Sequence, residues 1–117
     1  MPRDLRVHRT PADILDYEII QEQAAALGRM GRALEAALAK LREFDAAHLR
    51  AGEPASEQQA RRALVMDAGH ALWMLVVQRE ACGLRDSRTV MRNYNVPDEV
   101  QQRMGPVFIR HPMREQR

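Results

Sequence analysis

Two Asp-x-x-His pairs, Asp45-Ala46-Ala47-His48 and Asp67-Ala68-Gly69-His70, are the side chains best spaced for chemistry. Residues three apart share a helix face, so each pair could present a carboxylate beside an imidazole, as metal-binding helical bundles do. Geometry limits the idea. Around a turn near Glu53 and Pro54, His48 falls about 8 Å and His70 about 25 Å from the turn, leaving the pairs roughly 17 Å apart within one chain. Only a dimer could unite them, and the additional glutamates that a carboxylate-bridged dimetal site draws from the other helices are not apparent. Capping or surface roles are expected for both histidines, and no metal, cofactor or catalytic residue is assigned.

The remaining candidates have structural explanations. Cys82 lies near the end of an apolar helix with no base paired to it by sequence, which suits a small core residue better than a nucleophile. Thr10, Ser56, Ser87 and Thr89 fall at caps or exposed helix positions, and no Gly-x-Ser-x-Gly occurs. Gly28-x-x-Gly31 lies inside a helical stripe without the strand or Gly-Lys-Ser/Thr ending of a phosphate loop. Trp73, Met66 and Met74 have core spacing. An enzyme is therefore not expected.

Arginines near the C-terminus offer a different chemistry. Arg85, Arg88, Arg92 and Arg103 surround a helix, turn and helix over residues 86–104 with nearly the dimensions of a DNA-binding helix-turn-helix. Met91 is bulky where that motif favours a small residue, and Gln101 falls where an apolar one is expected. From Arg85 to Arg117 seven arginines face Asp86, Asp98, Glu99 and Glu115, a thin electrostatic footprint. A DNA-binding regulator is thus the alternative reading, with helix-bridging, solvated arginines as the plainer one.

The elements that must carry these residues are helices. Thr10-Pro11-Ala12-Asp13 is a helix start, with Thr10 as cap and Pro11 at a position that needs no N–H. Leu27, Met30, Gly31, Leu34, Ala37, Leu38, Leu41 and Phe44 recur at three- and four-residue steps. Extended through Ile19, Ile20 and Ala24, the stripe predicts a helix from Pro11 to Arg50, on the order of 60 Å long, with a kink or a close helix contact at Gly28 to Gly31. Gly52 and Pro54 end it, and Ser56 with Gln59 reads as a capping box that opens a second helix. That helix is apolar on nearly every face from Ala63 to Val77, which calls for several neighbours, and Gly83-Leu84 suits a Schellman stop. Two short helices follow, Ser87 to Tyr94 and Pro97 to Met104. Asn95 is the turn between them, and Val90, Met91, Tyr94, Val96, Val100 and Met104 are their apolar contacts.

Composition agrees with one modest domain. The chain has 117 residues, 45% hydrophobic and 29% charged, with 18 Lys+Arg against 16 Asp+Glu. This suffices for one core without disulfides, and a formal charge of +2 demands neither nucleic acid nor an anionic membrane. One cysteine and a charged N-terminus point to a cytoplasmic setting, and the apolar run Ala71 to Val77 is far short of the roughly 20 residues of a membrane span. The expected organisation is a flexible arm at 1–9, one helical domain at 10–105 and a partly ordered tail at 106–117, in which Val107, Phe108 and Ile109 dock.

The fold class is all-α: a long antiparallel helical hairpin plus two short C-terminal helices, expected to pair as a dimeric four-helix bundle. The alternative is a compact bundle in which the short C-terminal helices fold back on the hairpin, but two pieces of about two turns cannot shield both sides of a hairpin on the order of 40 Å long, so they are expected to clasp its ends or cross the subunit boundary. The functional expectation is a non-enzymatic homodimer that binds an unidentified protein, with no membrane contact.

The stretch Gly83-Leu84-Arg85-Asp86-Ser87-Arg88-Thr89-Val90-Met91-Arg92-Asn93-Tyr94-Asn95-Val96-Pro97-Asp98-Glu99-Val100-Gln101-Gln102-Arg103-Met104-Gly105 resembles the closing segment of a family of short, all-helical bacterial proteins of unknown function. The Arg-Asp pair, the Tyr-x-Val-Pro turn and the Arg-Met-Gly end carry the likeness. It implies an all-helical fold, names no activity and transfers no site residue.

Overall fold

The structure, a computed structural model, describes residues 10–48 and 54–105. Four helices follow one another: α1 (Pro11–Ala47), α2 (Ala55–Ala81), α3 (Ser87–Asn93) and α4 (Asp98–Gln102). No strand occurs among the described residues.

Helix α1 starts as its sequence dictates. The Thr10 hydroxyl accepts from the Asp13 N–H at 3.1 Å, the Thr10 N–H donates to the Asp13 carboxylate at 3.2 Å, and Pro11 occupies the first turn. The helix runs unbroken through Gly28 and Gly31 and ends at Ala47 rather than Arg50. His48 ends it: the backbone leaves helical angles there, its N–H bonds the carbonyls of Phe44 and Asp45, and its ring stacks on Phe44 at 4.1 Å. Helix α2 corrects a second expectation, because Ser56 forms no capping box. The cap falls two residues earlier, at Pro54, so the helix opens at Ala55, with the extended Pro54 accepting at its carbonyl from Glu57 and Gln58. Proline holds the required φ without any side-chain bond. Gly52 and the expected tail contacts of Val107, Phe108 and Ile109 lie outside the described residues.

Leu34, Leu38 and Leu41 of α1 form one core with Val65, Ala68, Leu72, Leu75 and Val76 of α2 and with Val90, Val96 and Val100 of the C-terminal segment. Each such side chain stabilises the fold by roughly 1.5–3 kcal/mol when fully buried. The turns between elements follow left-handed stops. Gly83, at φ +89°, lets the Leu84 N–H reach the Arg79 carbonyl at 2.8 Å. Asn95, at φ 54°, does the same for the Val96 N–H and the Met91 carbonyl at 3.0 Å, which turns Val96 into the core.

The C-terminal segment neither clasps an end of the hairpin nor extends away from it; it folds back along the hairpin's flank. Two helical glycines make room for it. A Cβ at Gly31 would meet the Tyr94 hydroxyl, and one at Gly69 would meet the Arg103 backbone carbonyl, with the carbonyl carbon only 2.8 Å away. The expected close contact at Gly31 is therefore present without a kink, and the short helices cover one flank only.

Helix α1 is ten residues longer than α2, and the fifteen residues from Pro11 at its N-terminal end, which precede its first buried residue, Ala26, form its surplus end. Every residue from Thr10 to Glu22 is exposed. Ile14, Leu15, Tyr17, Ile19 and Ile20 are among them, Ile20 at 60% and Leu15 at 55%. The surplus spans about 22 Å beyond Ala26, the first buried residue of the helix.

Candidate functional site

The principal polar constellation is centred on Arg61 of α2. Its Nε donates to Asp45 Oδ1 at 2.7 Å and its Nη2 to Asp45 Oδ2 at 3.0 Å, a bidentate pair across the hairpin. Nη1 and Nη2 also donate to the two Glu99 carboxylate oxygens at 3.0 and 2.6 Å, tying α4 to both long helices. The Arg61 hydrogen bonds hold the Asp45 and Glu99 carboxyls below their ordinary range, and the same bonds hold the guanidinium protonated beyond its usual limit. Sequence reasoning missed this triad, although Asp45 and Arg61 sit eight residues either side of Glu53, the turn centre.

A groove of about 590 Å³ opens beside the triad, between α2 and α4. Ala63, Val65 and Met66 give it an apolar floor, and Gln59, Arg62, Gln102 and Arg103 stand at its rim. Arg61 engages both nearby carboxylates, whereas Arg62 and Arg103 have no ion pair among the described residues. The groove can therefore attract an anion by charge and amide hydrogen bonding. No nucleophile paired with a base lines it.

The groove opens onto a longer surface. Arg62, Met66, His70, Trp73 and Val77 recur on one side of α2, flanking the face that buries Val65, Leu72 and Val76. Met66, His70 and Trp73 are half-buried, and Met74 and Val77 are exposed.

The two Asp-x-x-His pairs stay apart. His48 Nδ1 lies 2.8 Å from the Phe44 carbonyl and its Nε2 3.6 Å from Glu57, while Asp45 belongs to Arg61. Asp67 is exposed, and His70 tilts against Trp73 at 6.1 Å with its Nδ1 shielded and without a partner among the described residues. No group of three or more His, Cys, Asp or Glu side chains is placed to hold a metal among the described residues. Cys82 is half-buried, 3.8 Å from the Gln78 amide.

Arg85, Arg88, Arg92 and Arg103 are all exposed. The Arg88 guanidinium stands 3.7 Å from Asp86, whose carboxyl is lowered chiefly by the backbone N–H of Arg88 that caps α3. Helix α4 has five residues, with Asp98 and Glu99 in its first turn.

No described helix is long and apolar enough to cross a membrane. A family model described as a family of unknown function, DUF6665, matches residues 5–111, well beyond the closing segment whose motifs first suggested such a family. No curated protein and no solved structure matches the chain.

Proposed function

The chain belongs to the DUF6665 family of unknown function, and we propose that it is a non-enzymatic, homodimeric helical-bundle protein that acts by binding another protein in the cytoplasm. The observation that carries this reading is the unpartnered end of α1. Five large apolar side chains stand exposed all round this one stretch of helix, and a helix that is apolar on several faces is one that neighbours enclose. These four turns continue an unbroken helix but bury no side chain before Ala26 among the described residues, so a partner would supply their packing. The helical region 10–105 would act as one unit.

Light scattering over a dilution series, with a melting curve at each concentration, tests the reading. A mass of about 27 kDa, twice the 13.4 kDa chain, and a melting point that rises with concentration are expected. A 13.4 kDa species at every concentration would refute the dimer.

The DNA-binding alternative has less support. A recognition helix enters the major groove with its N-terminal residues, and those of α4 are Asp98 and Glu99. Retention on duplex DNA that survives about 0.2 M salt and is lost on replacing Arg88 and Arg92 by Ala would favour it instead.

A further inference from the structure

We propose that the surplus end of α1 in one copy docks on the outer face of α2 in a second copy, with Asp16 meeting Arg62 and Arg103, and that the twofold-related contact does the same in reverse. The proposal rests on the homodimer reading and names the surfaces that form it.

Charge is the first argument. Between Arg9 and Arg29 the chain has Asp13, Asp16, Glu18 and Glu22 and no Lys or Arg. Glu22 is held by Arg29 and Asp13 by the Thr10 cap, but Asp16 is exposed and has no ion pair among the described residues. Asp16 shares a helix face with Ile19 and Ile20, three and four residues on. On α2 the pattern is complementary, since Arg62, with no ion pair among the described residues, and Arg103, whose charge also acts on Glu99, border an apolar strip that continues through Met66 and Val77. The chain outside the described residues is a poor occupant of a basic groove. Residues 106–117 bring Arg110, Arg114 and Arg117 against Glu115 alone, and residues 1–9 bring Arg3, Arg6 and Arg9 against Asp4 alone.

Length and area are the second. The surplus spans about 22 Å, and so does α2 from Arg62 to Val77. In an antiparallel pair of hairpins, α1 of one copy runs parallel to α2 of the other, so the two strips can lie side by side, with Asp16 about 7 Å along from the Arg62 end and within reach of an arginine side chain. The arrangement is isologous and closes at two copies. Two helix segments laid on two such strips bury on the order of 1,600 Å² in all, the size of a stable specific interface.

Charge reversal with rescue in the full chain tests the pairing, read as the dimer dissociation constant by sedimentation. Asp16→Arg alone, and Arg62→Glu with Arg103→Glu, are each expected to weaken association at least tenfold. The combination of all three should return it to within about threefold of the parent. Should a reversal unfold the chain by circular dichroism, the neutral changes Asp16→Asn and Arg62→Gln are expected to weaken association in the same direction. A dimer indifferent to these changes, or weakened by both sets without rescue, overturns the docking and leaves the homodimer reading standing. A chain that is monomeric before any substitution overturns both.

Discussion

Arg61 satisfies two carboxylates from two other elements, and the pH sign of that arrangement is fixed. Asp45 and Glu99 are both held below their ordinary range by its hydrogen bonds. Their contribution to stability is therefore complete above their unfolded values, near pH 4 to 5, and is lost as pH falls through their lower folded values. All three side chains are about one-third to one-half exposed, so solvent screening keeps the sum modest. Arg61→Met is expected to cost about 1 kcal/mol at pH 7 and to flatten the acid limb of the melting temperature below pH 4. The glycines make a sharper pair. Gly69→Ala meets backbone that cannot swing away, and a loss of about 2–3 kcal/mol by chemical denaturation is expected. Gly31→Ala meets only the tip of Tyr94. Replacing that tyrosine by Phe leaves the ring carbon at an ordinary 3.5 Å, so the double variant should recover most of the stability that Gly31→Ala loses.

At the scale of elements, the helices were readable in the residues because each start and stop has a local cause. Thr10 with Asp13, Gly83 before Leu84, Asp86 before α3 and Asn95 at its end each do locally what the sequence implies. Two boundaries were not readable. Ser56 is a good cap by type, yet Pro54 had already set the backbone for helix two residues earlier, and the His48 ring folding onto the Phe44 carbonyl is decided by stacking rather than by propensity. The use of Gly31 and Gly69 as seats was only half legible. A glycine in a helix announces close approach, but what approaches depends on how the last segment folds back. The Arg61 triad could have been found by counting outward from the turn to Asp45; Glu99 could not, because its place depends on that same return. Element-level dynamics give a further expectation. If a second copy covers residues 12–25, their amides should exchange hydrogen nearly as slowly as those of Leu34 to Leu41 at high protein concentration, and faster on dilution. Equal, rapid exchange at all concentrations would mean that this end of α1 is packed on nothing.

For the whole molecule, the described residues extend 73 × 35 × 20 Å, long and thin for so short a chain. The hairpin accounts for the thickness and the unpaired end of α1 for much of the length. That projection acts as a drag anchor. A monomer carrying it should diffuse like a rod, with a frictional ratio well above that of a compact protein of its mass. Laying two such molecules side by side, head to tail, doubles the mass while adding far less to the length. The dimer would then be the rounder particle of the two, and its frictional ratio should fall as concentration rises, the reverse of what end-to-end joining would give.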